Sequence, residues 1–106
     1  MTDEQKIILA EIEALLESGA DAGLAALEHT LTAGYAAALT LEAERWRLER
    51  RIAEAAGLLG EGQGRGHAQE IAKLARRLAD ADDEIVRLRG MLGTLRERTD
   101  AARAAA

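Results

Sequence analysis

The chain has 106 residues, about one domain, with net charge −5, no proline, no cysteine, no phenylalanine, one tryptophan and one tyrosine. The lack of cysteine removes disulfides, thiol catalysis and Cys-based metal sites together. The wealth of Ala, Leu, Glu and Arg, with few β-branched or aromatic residues, excludes a sheet and points to helices packed along a narrow Leu/Ala seam.

The first predicted element is a short helix over residues 3–17. Thr2 and Gln5 stand three apart, as a capping box requires, and Ile8, Ile12 and Leu15 recur at four and three, widened by Leu9 and Leu16. Ser18-Gly19-Ala20-Asp21 then offers a stop: Gly19 can take the left-handed conformation, and Ser18 or Asp21 can cap the next start.

A second helix is predicted over 21–59. Leu24, Leu27, Leu31, Gly34, Ala38, Leu41, Arg45, Leu48, Ile52, Ala55 and Leu59 keep the 3–4 spacing of a coiled-coil seam, broken only by Gly34 and Arg45. Residues 57–66 hold five glycines in ten and predict a non-helical tip. A third helix over 67–104 repeats the spacing through Ile71, Leu74, Leu78, Ala81, Ile85, Leu88, Leu92, Leu95, Thr99 and Ala102.

Folding the chain at the tip pairs seam residues whose numbers sum to about 126, so that Gly34 meets Leu92, Ala38 meets Leu88 and Arg45 falls beside Asp80, Asp82 and Asp83. The predicted fold is therefore all-α: one domain over 1–106, a long antiparallel helical hairpin with the short N-terminal helix packed at its open end. A helix of 15 residues spans about 22 Å, so it reaches only residues near 24–38 and 88–102. The run Thr32–Ala38, rich in small residues, suits its close approach there.

The charge is uneven. Residues 1–57 hold 11 acids and 5 bases, while 58–106 hold 8 acids and 9 bases. No basic face stands out and stacking aromatics are nearly missing, which argues against nucleic-acid binding. The acidic N-terminus lacks an apolar run of signal-peptide length, and no stretch approaches the ~20 apolar residues of a membrane span, so a cytoplasmic protein is expected.

Motifs for chemistry are missing. The glycine-rich tip with Arg65 could cradle an anion, but lacks the Lys-Ser/Thr and preceding strand of a phosphate loop; a connector is the plainer reading. His29 and His67 lie on different segments, and His67/Glu70 is a lone i, i+3 pair rather than a ligand set. Asp80, Asp82, Asp83 and Glu84 lack the central Gly and spacing of a calcium loop and read as a solvated face. The only serine, Ser18, has no base placed by a motif. No enzyme, cofactor or metal site is expected.

Two stripes off the seam hold the candidate contact residues. Tyr35, Leu39 and Trp46 form one; in so aromatic-poor a chain an exposed Trp marks a contact hot spot. Val86, Gly90 and Gly93 form the other. A glycine inside a helix costs about 1 kcal/mol relative to alanine, so two of them suggest close approach of another backbone, either the first helix or a partner.

Within 24–59, the Leu24-Ala25-Ala26-Leu27-Glu28 opening and Leu41-Glu42-Ala43-Glu44-Arg45 resemble small bacterial helical chaperones of the flagellar export type, over about a third of the chain. The resemblance implies a protein-binding chaperone; the glycine-rich tip has no counterpart in it, and no partner-binding residue is carried over. The function expected is a non-enzymatic interaction module, an adaptor, chaperone or regulator binding a protein through helical surfaces. The alternatives are a self-assembling dimer or four-helix bundle, and a helical ligand sensor in which Arg87, Arg89 and Arg96 hold a charged ligand.

Overall fold

The computed structural model describes residues 2–18, 22–62 and 65–106, apart from the Arg65 side chain. Helix α1 runs Asp3–Glu17, α2 Leu24–Gly60 and α3 Arg65–Ala105, and the described residues contain no strand. The molecule is a rod of 64 × 18 × 17 Å.

Each helix starts or stops for a local reason. The capping box at α1 is made in both directions: the Thr2 N–H donates to Gln5 Oε1 at 2.9 Å, and the Gln5 N–H donates to Thr2 Oγ1 at 3.2 Å. At the other end the Ser18 hydroxyl donates to the Leu15 carbonyl, closing α1 rather than capping α2. The expected stop at Gly19 and cap at Asp21 lie outside the described residues. Helix α2 begins after Gly23, whose backbone is extended and supplies no side-chain cap.

The tip is much shorter than the predicted 57–66. Gly57–Gly60 complete α2, and Arg65 and Gly66 already belong to α3. Leu58 and Leu59 are good helix formers set between the glycines, and isolated glycines weaken a helix without ending it. The stop is Gly62, at φ 80, reached as the Glu61 and Gly62 N–H groups donate to the carbonyls of Gly57 and Leu59. This left-handed residue just past the C-cap is how helices commonly end. Gln63, Gly64 and the Arg65 side chain, and with them the anion-cradle reading, lie outside the described residues.

The hairpin closes in the register read from the seam. An ideal Cβ on Gly34 lies 2.4 Å from Leu92 Cδ2, so these two residues face each other across the seam. Ion pairs bracket that register on both flanks. On one, Arg77 meets Glu44 and Arg51 meets Glu70, with numbers summing to 121; on the other, Arg89 meets Glu42 and Arg103 meets Glu28, summing to 131. Such exposed pairs contribute at most about 1 kcal/mol each. The buried seam sets the register, and the ion pairs follow it.

Helix α1 seals the first flank at the open end. Thr30 and Ala37, two heptads and one heptad before Glu44, are buried there, and Met91 packs against the same core. Ile12, fully buried, stands over Gly34; Arg98 donates to the carbonyls of Leu15 and Leu16; Arg87 bonds Glu13. The core therefore divides in two. A three-helix cluster holds Ile12, Leu27, Ala38, Leu41, Leu88, Leu92 and Leu95, and a thinner two-helix cluster nearer the tip holds Leu48, Leu74 and Ala81. Thr99 breaks the apolar seam by sequence but is fully buried, its hydroxyl donating to the Leu95 carbonyl at 2.8 Å. Arg45 reaches Asp82 at 3.4 Å, one of the acids expected beside it.

Candidate functional site

Helix geometry alone brings the two off-seam stripes together. Glu42 lies three residues after Leu39 and four before Trp46; Arg89 lies three after Val86 and four before Gly93. Residues so spaced are neighbours on one helix face. Arg89 donates to Glu42 through both Nε, at 3.1 Å, and Nη2, at 2.7 Å. That two-pronged bridge ties the two faces into one. Leu39 and Trp46 from α2, and Val86 and Gly93 from α3, surround the Glu42–Arg89 pair on the flank opposite α1.

Leu39 is 62% exposed, Trp46 57% and Val86 72%, half of the six large exposed hydrophobics in the described chain. Monomers commonly scatter such residues singly, whereas these three share one face. The Arg50 guanidinium sits 4.9 Å from the Trp46 ring centroid, holding the indole against the helix. Tyr35 lies on the inner line of the same face, a heptad before Glu42, but is half-buried and packs on the core. Gly90 is exposed one line further out.

Of the two backbones offered for the α3 glycines, the first helix is ruled out. A Cβ built on Gly90 or on Gly93 meets no described atom within 4 Å. Helix α1 docks on the other flank, so it is not the backbone that these glycines admit. The tight glycine is Gly34, on the seam.

Charge on this face is segregated by helix. The line of α2 nearest the seam carries Glu28, Tyr35, Glu42 and Glu49. The matching line of α3 carries Asp82, Arg89, Arg96 and Arg103. One helix is thus acidic and the other basic over the open-end half. Of the arginines considered for a charged ligand, Arg87 is engaged by Glu13 and Arg89 by Glu42. His67 lies 3.9 Å from Glu70, and no group of three or more metal-ligating side chains forms among the described residues. A shallow cleft of about 140 Å³ lies on the α1 flank, lined by Leu41, Glu44, Arg77, Asp80, Ala81 and Glu84. No described helix is long and apolar enough to cross a membrane.

Sequence reasoning missed the Glu42–Arg89 centre. The signal was present, because that pair lies five beyond the seam sum of 126, where flanking positions of an antiparallel pair must fall. The burial of two polar residues, Gln5 on α1 and Thr30 on α2, was missed as well. Compared with known proteins, the chain matches no family model, no curated sequence and no solved structure.

Proposed function

We propose that the chain is a non-enzymatic protein-interaction module that docks a helical protein partner on the hairpin face opposite α1, as an adaptor, chaperone or regulator does. The observation that carries this reading is the convergence of exposed Leu39, Trp46 and Val86 around the Glu42–Arg89 pair. An apolar set split by a fixed charge pair suits an amphipathic helix, which supplies apolar anchors at helical spacing and a polar residue to the centre. Trp46 is the expected anchor, since Trp gives large contact area for little lost freedom. The proposal includes a cytoplasmic setting and a chaperone-like role of the kind that the resemblance over 24–59 implies.

The test compares tagged wild type, Trp46→Ala and Val86→Ala as baits at native expression level, with Ile7→Ala as a control on the exposed side of α1. A specific protein recovered by wild type and by Ile7→Ala, but at least tenfold depleted with Trp46→Ala and Val86→Ala, supports the reading. Equal recovery by all four baits, or clean recovery of wild type with nothing bound, refutes it.

A further inference from the structure

We propose that this face pairs with a second copy of the chain, α2 of each copy lying antiparallel on α3 of the other about a twofold axis parallel to the rod. The inference rests on reading the face as a docking surface and names its occupant and orientation.

The charge pattern chooses the arrangement. Two hairpins can meet on this face in two symmetric ways. With the axis across the rod, α2 lies on α2 and α3 on α3. The line of α2 carrying Glu28, Glu42 and Glu49 then lies on the same acidic line of the other copy run in reverse, and the line of α3 carrying Arg89, Arg96 and Arg103 lies on its own reversed copy. Like charges brought together across a contact are strongly unfavourable. With the axis along the rod, the acidic line of α2 lies on the basic line of the partner's α3, and each Arg89 can serve a carboxylate of the other copy as well as its own. Over the open-end half, where the α3 line carries Arg89, Arg96 and Arg103, the face is therefore complementary to itself in this orientation.

The side-chain sizes fit the same orientation. The hairpin register places Leu39 level with Val86, and Trp46 level with Asp80 beside Ala79. Laid α2 on α3, Leu39 of one copy meets Val86 of the other, so that two exposed apolar side chains cover each other, and Trp46 meets the small Ala79. The largest exposed side chain then faces a small one, as interdigitation requires. Contact over most of one 64 × 18 Å face buries on the order of 1,000 Å² per copy, which is enough for a specific stable pair. It also covers the two-helix half of the rod, where the core is only Leu48, Leu74 and Ala81 with Ile52 and Leu78 packed on them. The result is a four-helix bundle with each α1 on an outer side.

The absence of cysteine makes the test direct. Leu39→Cys and Val86→Cys are made as separate full-length chains, both at exposed positions, with helicity checked by circular dichroism. They are mixed at 50–200 µM in a glutathione redox buffer, and the disulfide species are resolved by mass. Light scattering on wild type over the same range gives the mass in solution. The proposal predicts a mass twice the 11.3 kDa of the chain, a 39–86 disulfide at least fivefold over 39–39 and 86–86, and at least tenfold weaker self-association for Trp46→Ala. A strictly 11.3 kDa particle at every concentration overturns self-pairing, as does a predominance of 39–39 and 86–86 links. A monomer that still captures a foreign protein through Trp46 separates failure of this inference from failure of the docking reading; a monomer without capture ends both.

Discussion

Replacing Gly34 by alanine sets two effects of opposite sign against each other. Helix propensity alone favours the change by about 1 kcal/mol. Against it, the new methyl carbon falls 2.4 Å from Leu92 Cδ2 and 3.1 Å from Ile12 Cδ1. Both neighbours are side-chain ends, yet Leu92 is 1% exposed and Ile12 fully buried, so neither has solvent to swing into. Overpacking a closed site costs about 1–3 kcal/mol, and the sum is a loss of up to about 2 kcal/mol. At Gly90 and Gly93 no described atom lies within 4 Å of the added carbon, so only the propensity gain remains, up to about 2 kcal/mol for both together. With roughly 4 °C in Tm per kcal/mol for a domain of this size, Gly34→Ala melts up to about 8 °C lower than wild type and Gly90→Ala/Gly93→Ala up to about 8 °C higher. Thermal and urea denaturation followed at 222 nm, at low micromolar concentration, separates these outcomes. If Gly34→Ala gains as much as the single Gly90→Ala, then Leu92 and Ile12 do not close on Gly34 and the three-helix packing is wrong.

Further outcomes follow from single contacts. Arg98→Met removes the donor to the Leu15 and Leu16 carbonyls and costs about 1 kcal/mol; amide exchange in α1 should quicken while that of α2 and α3 does not, and unchanged α1 protection contradicts the clamp. Thr99→Val keeps shape and removes only a hydroxyl bonded to Leu95; it should stay within about 1 kcal/mol of wild type by denaturation, whereas Thr99→Asp buries an unpaired charge at a fully closed position and should unfold the open end. Glu42→Gln breaks one exposed ion pair and should shift the urea midpoint by less than about 1 kcal/mol equivalent, and a larger loss would mean that the pair, not the seam, sets the register.

Most of the fold was legible because each level of the sequence carries the same message. Leu24 to Leu59 and Ile71 to Ala102 keep one 3–4 period, and the sizes at Gly34/Leu92 match only when the chain doubles back. Thr2 and Gln5 gave the start of α1 to the residue. The tip was misjudged because glycine content was weighed without position: Gly57 and Gly60 are tolerated inside the last turns of α2, and among the described residues only Gly62 needs a positive φ. The proposed docking face was half legible. Periodicity places Leu39 with Trp46 and Val86 with Gly93, but which flank α1 takes depends on Thr30, Ala37, Met91 and Arg98 together, and no single-helix pattern contains that choice. For that reason the pattern at Gly90 and Gly93 left both α1 and a partner as candidates for the approaching backbone.

Everything rests on α2 and α3 lying side by side over their whole length. Spin labels on Ala25→Cys and Ala101→Cys, both exposed near the open end, measure this directly by double electron–electron resonance, with the labelled protein diluted into unlabelled protein so that only distances within one chain contribute. The hairpin predicts one narrow distribution at roughly 15–30 Å, given helix axes 8–10 Å apart plus the label arms. A distribution at or beyond about 60 Å contradicts it; residues 76 apart on one unbroken helix would lie about 114 Å apart at 1.5 Å per residue.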